Sequence, residues 1–140
     1  MKRPSASLQK FTEQQELLRL GFLDLNAYPR ALPVWFVVSD GEYYIGTGSD
    51  SVKWKAIQKT SRVGWVIDGG TKGKYKGASM WGEAEEVSDK KLRAKLYRAF
   101  GKKYFGSADN PKHVEIWGEV DDPGSVYIHL KRAGIYSWEY

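Results

Sequence analysis

A mainly antiparallel β-barrel of six or seven strands with three or four short helices is the fold class that this 140-residue sequence predicts. Three observations lead there. β-rich runs follow one another along the chain, a tight Asp40-Gly41 turn joins two of them, and the helical patterns are too few and too short for a βαβ alternation. There is no fixed-period repeat and no low-complexity run, so solenoids and propellers drop out.

The elements are predicted in order. Thr12-Glu13-Gln14-Gln15 has the spacing of a capping box, and with Leu17, Leu18 and Leu20 behind it predicts a short helix ended by Gly21. Phe22, Leu23 and Leu25 predict a first strand, broken at Asn26-Ala27-Tyr28-Pro29. Arg30 to Ser39 is rich in Val, Trp and Phe and predicts a second strand, paired through the Asp40-Gly41 hairpin with Glu42 to Thr47. Ser49-Asp50-Ser51 is an N-cap pattern before Val52, Trp54, Ala56 and Ile57, which predicts a helix as far as about Lys59. Arg62 to Asp68 reads as a strand ended by Gly69-Gly70, and Lys72-Gly73-Lys74-Tyr75-Lys76-Gly77 as a basic loop. Ala78 to Val87 alternates like a strand with one wet face. After the Ser88-Asp89 cap, Leu92, Leu96 and Phe100 recur at helical spacing, with Gly101 and Gly106 marking the end. Asn110-Pro111 opens a further short helix with Val114, Ile116 and Trp117. Val126 to Leu130 and Ile135 to Trp138 close the chain as two strands separated by Arg132-Ala133-Gly134.

Composition narrows the function. With 41% hydrophobic and 28% charged residues, a chain of this length is expected to fold as one domain spanning residues 1–140. It contains no cysteine, which excludes disulfides, thiolate catalysis and cysteine-held metal clusters. His113 and His129 are far apart and have no companion ligands, so no metal site is expected. Met1-Lys2-Arg3-Pro4-Ser5 lacks the apolar run of a secretory leader, and no segment is apolar enough to span a bilayer; a cytoplasmic protein with no membrane partner is expected. The net charge of +5 favours anionic ligands in general. Glu83, Glu85 and Glu86 read as the wet face of a strand, and no residue is assigned as catalytic.

Pro33-Val34-Trp35-Phe36-Val37-Val38, Asp40-Gly41-Glu42, Thr47 with Ser51-Val52-Lys53 and Ile57, Arg62-Val63, and the later run Gly77 to Val87 stand in an order that resembles the pyridoxamine-phosphate-oxidase-like split β-barrels. The likeness covers roughly residues 8 to 100, and weakly the two C-terminal strands. It implies a homodimer with FMN at the subunit interface and an oxidoreductase activity on a small-molecule redox substrate. By position, the resemblance puts Pro33, Val34 and Trp35 along the flavin ring, Gly46 and Thr47 at the ring edge or ribityl chain, and Ser51 and Lys53 at the phosphate. Gly77 stands where the oxidases proper carry a polar ring-contacting side chain, which implies an opening there. Those oxidases also carry an arginine where Val52 stands and an Arg- and His-containing tail where Ile135 to Tyr140 stands, so vitamin oxidation itself is not implied.

The residues agree with a phosphate site, since a hydroxyl, a lysine and helix-start amides together suit a phosphate; by themselves they also fit a plain cap with a solvated lysine. Within the same fold stand a deazaflavin-dependent reductase, whose anionic cofactor would be drawn to Lys53, Lys55, Lys72, Lys74 and Lys76, and a non-catalytic flavin or haem carrier. Nucleic-acid binding through Lys72, Lys74, Tyr75 and Lys76 is the remote alternative, and no nucleic-acid partner is expected.

Overall fold

A computed structural model describes residues 4–140; Met1-Lys2-Arg3, part of the start read for a leader, lies outside the described residues. Seven strands and four helices are present among them, in the order α1 (Ala6–Gln14), β1 (Leu18–Leu23), β2 (Pro29–Val34), β3 (Phe36–Ser39), β4 (Glu42–Gly48), α2 (Val52–Lys59), β5 (Arg62–Thr71), β6 (Lys74–Glu86), α3 (Lys90–Phe105), α4 (Pro111–Trp117) and β7 (Ser125–Glu139). Every pairing is antiparallel, in the order β2-β1-β5-β6-β7-β4-β3. The two edge strands are consecutive in the chain. Val34 pairs with Leu18 of β1 and Phe36 with Ile45 of β4, so the run changes partners at Trp35 and curls the sheet into a barrel. The expected single strand is thus one continuous run serving two neighbours.

Alternation fills the barrel. Leu18, Leu20 and Phe22 of β1, Phe36 of β3, Ile45 of β4, Val63, Trp65 and Ile67 of β5, Met80 of β6 and Ile128 and Leu130 of β7 all point inward and are buried. Each such side chain contributes about 1.5–3 kcal/mol by leaving water. The Trp54-Ala56-Ile57 face of α2 joins the same core. Outside the barrel, Leu96, Tyr97 and Phe100 of α3 cover Val37, Tyr44 and Tyr127. The predicted Leu92-Leu96-Phe100 stripe is therefore the face that docks this helix.

Several boundaries differ from the sequence expectation. The first helix begins at Ala6 with Ser5 as its cap, Ser5 Oγ accepting from the Leu8 amide at 3.1 Å, while Thr12 lies inside it and donates to the Gln9 carbonyl at 2.8 Å. Leu18 and Leu20 belong to β1, because their spacing of two residues buries both on one strand face. The basic segment is mostly strand: only Lys72 and Gly73 turn, and Lys74 to Gly77 open β6. The two C-terminal strands are one, β7, which passes Ala133 through a bulge opposite Trp81 and Gly82. By contrast, the Asp40-Gly41 turn, with φ of 52° and 78°, the α2 cap and the Asp89 and Asn110 caps are where the residues place them. None of the helices among the described residues is long and apolar enough to cross a membrane.

Candidate functional site

The chain leaves the barrel at the end of β4, turns through Gly48 to Asp50 and starts α2 at Ser51. Ser51 Oγ accepts two hydrogen bonds, from the Trp54 amide at 3.2 Å and from the buried Thr47 hydroxyl at 2.9 Å. A hydroxyl has two lone pairs and one proton, so Ser51 keeps its own O–H free to donate outward. Two residues on, Lys53 is half-buried, and burial holds its pKa below the ordinary lysine value. No carboxylate pairs with it among the described residues. A free hydroxyl proton and the positive end of α2 lie together at Ser51, with the half-buried, unpaired Lys53 two residues on, a combination that suits an anion.

Gly46 stands just before Thr47 in β4, and the α4 side chain Trp117 lies against its backbone: a Cβ built at Gly46 would meet the indole at 2.7 Å. A glycine inside a β-run marks such a close approach. Beside Trp117 opens a cavity of about 490 Å³ lined by Thr47, Gly48, Glu115, Asp122 and Ser125 among others. Trp35 reaches the same neighbourhood, stacked on Tyr104 at 4.2 Å and tilted toward Trp117 at 6.5 Å. Trp35 and Gly46 thus meet at Trp117, Thr47 lines the same region, and Ser51 is bonded to Thr47; Lys53 follows two residues on in α2. Trp117 completes the wall of that region and carries a buried indole N–H with no partner. The sequence predicts Trp117 only as a helix residue; the glycine at position 46 signals a close approach to β4 without naming what approaches.

The other candidates lie elsewhere. Val34 is a core residue paired with Leu18, and Pro33 is exposed opposite Arg19 on β1. Gly77 sits between Asp68 and Trp138, near the far end of β7 from Thr47, which pairs with Val126. The implied opening at Gly77 is closed within the chain: a Cβ there would meet the Trp138 ring at 2.7 Å and the Asp68 Cβ at 2.8 Å.

Behind Trp35 the wall is polar only at its centre. The Tyr104 hydroxyl accepts from the Phe36 amide at 2.9 Å and donates to the Glu16 carbonyl at 2.7 Å, and burial raises its pKa to about 12. Lys103 donates to the Phe36 carbonyl at 2.9 Å and lies 3.5 Å over the Phe36 ring; burial lowers its pKa to about 8, against an opposing pull from Glu16. These groups tie α3 to the bend at Trp35. Among the described residues no three His, Asp or Glu side chains are grouped to hold a metal ion.

The sequence profile of the family described as Pyridoxamine 5'-phosphate oxidase matches residues 5–138. No curated protein matches the chain in sequence. Among solved structures, a conserved hypothetical protein from Mycobacterium tuberculosis is similar at TM-score 0.84 and 20% identity, over 99% of this chain and 86% of that one. The heme storage protein HutZ from Vibrio cholerae is similar at TM-score 0.74 and 14% identity, over 96% and 94%. A FAD-binding protein from Mesorhizobium loti is similar at TM-score 0.74 and 17% identity, over 99% and 96%. At these identities the likenesses establish the split-barrel fold, while the profile covers nearly the whole chain: this protein belongs to the pyridoxamine 5'-phosphate oxidase family.

Proposed function

We propose that this chain, as a single domain in a cytoplasmic homodimer, binds FMN and is an oxidoreductase acting on a small-molecule redox substrate. The observation that carries the reading is the Thr47-Ser51-Lys53 cluster. Burying an ammonium without a counter-charge is unfavourable, and a phosphate placed there would reverse that cost while taking the free Ser51 proton. The neighbouring cavity of about 490 Å³ and its Trp117 wall have the size and flat apolar side that a flavin requires. Bound flavin supplies hydride or single-electron transfer. The chain's own part is to fix the phosphate through Ser51 and Lys53, to line the ring edge with β4 at Thr47, Gly46 being covered by the Trp117 indole, and to exclude water with Trp35 and Trp117. Pro33 and Val34 contribute backbone alone, since Val34 points its side chain into the core. Gly77 is far from this cluster and belongs to the site only if a second copy brings it there.

Oxidation of pyridoxamine phosphate is not proposed, because Val52 is an exposed aliphatic residue at the position where an arginine would be needed. The test is the absorbance spectrum of the purified protein after addition of excess FMN and desalting. Flavin bands that stay with the protein are expected. Absence of both retained bands and quenching of FMN fluorescence on titration would remove the reading.

A further inference from the structure

A second cavity opens under α1, at the other end of the barrel from the Thr47-Ser51 cluster. It has a volume of about 360 Å³ and is lined by Gln9 and Thr12 of α1, Tyr43 of β4, Ala78 of β6 and Arg132 and Ile135 of β7, among others. Tyr43 and Thr47 lie on the same face of β4, about 13 Å apart at roughly 3.3 Å per residue, with the fully buried Ile45 between them. The two cavities are therefore separate.

α1 closes this one as a lid held at its start and in its last turn. Ser5 Oγ donates to Glu139 at 3.1 Å, and the Phe11 ring rests on Gly69, where a Cβ would meet it at 2.8 Å. Beneath the helix the walls at Ala78 and Ile135 are apolar, and the polar groups are few. Thr12 donates its proton to the Gln9 carbonyl at 2.8 Å, and its Oγ1 lies 3.5 Å from the Tyr43 hydroxyl, too long for a firm bond between two hydroxyls. The Tyr43 phenol is left free to bond a ligand. Burial raises its pKa, and the nearby charges of Glu13 and Arg132 act on it in opposite directions. Arg132 itself makes no ion pair among the described residues.

The β7 bulge is what assembles these groups. Arg132 and Ile135 are three residues apart, and on a regular strand positions an odd number apart face opposite sides of the sheet. The extra residue, Ala133, brings both to the cavity. Beside Tyr43, at 6.2 Å between ring centres, Trp65 has a buried indole N–H with no partner. A cation without a counter-charge, a free phenol and an unsatisfied indole N–H thus lie at one end of the barrel beside apolar walls.

We propose that this cavity is a second ligand site, one that takes a small carboxylic acid with an apolar body. The carboxylate pairs with the Arg132 guanidinium and accepts from the Tyr43 hydroxyl, and the apolar part lies against Ala78 and Ile135 under α1. One guanidinium fork beside one hydroxyl matches the two oxygens of a planar carboxylate, whereas a phosphate calls for more donors. The volume is at the small end of the roughly 300–1,000 Å³ of ligand pockets, which suits a body of one ring or a short chain. The site does not depend on the flavin reading.

Phenylacetate tests it against phenylacetamide, which has the same ring and nearly the same size without the charge. Isothermal titration of the wild-type protein should give a dissociation constant of about 1 mM or tighter for the acid, and binding at least about tenfold weaker for the amide. Arg132→Met, which keeps the stem and removes the fork, should weaken the acid at least about tenfold, and Tyr43→Phe, which keeps the core ring, about fivefold. Far-ultraviolet circular dichroism is the fold control for both, and the comparison of acid with amide needs no variant. Absence of phenylacetate binding, equal binding of acid and amide, or unchanged affinity in either variant overturns the proposal. Displacement of the acid by saturating FMN, or its loss on Lys53→Ala and not on Arg132→Met, assigns it to the β4–α2 cluster and equally overturns the proposal.

Discussion

Replacing Gly82 by alanine should lower stability by about 3 kcal/mol and the thermal midpoint by about 10 °C, read by calorimetry or by far-ultraviolet circular dichroism on heating. Gly82 lies in β6 opposite the bulge that carries β7 past Ala133, and an added Cβ would run into the Lys131 carbonyl. The obstacle is backbone on both sides, held by the β6–β7 ladder, so no flexible side chain can give way. Across the same bulge the Trp81 indole covers Gly134, and the two glycines let β6 and β7 approach where the sheet bends. A Gly82→Ala protein that melts within about 2 °C of the wild type would mean that β7 does not run through this bulge as one strand.

Lys53→Ala should weaken FMN binding by about 1.5–3 kcal/mol, roughly 10- to 150-fold in dissociation constant, while leaving the fold intact. The lysine is half-buried and unpaired, so its removal costs the free protein little and even relieves the unfavourable burial of a charge. The loss therefore falls on the complex. Isothermal titration with FMN measures it, and the thermal midpoint without flavin serves as the control. Equal affinity in mutant and wild type would take Lys53 out of the site.

Much of the fold was legible because local chemistry and burial agreed. Asp40-Gly41, Ser51, Asp89 and Asn110 are residues whose side chains or backbone freedom dictate a turn or cap, and each does so here. The misreadings have a common cause. Thr12-x-x-Gln15 satisfies a local capping rule, yet Leu18 and Leu20 gain more by filling the barrel from β1 than by lengthening a helix, so the tertiary fit decides. Arg132-Ala133-Gly134 looks like a turn, but opposite Gly82 it becomes a bulge, which depends on a strand some fifty residues away. The same distance limit applies to the candidate site. Thr47, Ser51 and Lys53 are close in sequence and could be read together; Trp117 reaches Gly46 and the cavity at Thr47 only through the packing of α4 on β4, and Gly77 lies far from Thr47 within one chain.

The most direct measurement is a comparison of FMN with riboflavin, which has the same ring and ribityl chain but no phosphate, by quenching of flavin fluorescence on titration with the wild-type protein. A site built on Ser51, Lys53 and the start of α2 predicts that FMN binds at least about tenfold more tightly, about 1.4 kcal/mol or more, and that Lys53→Ala narrows the gap. Equal dissociation constants for the two flavins would contradict it.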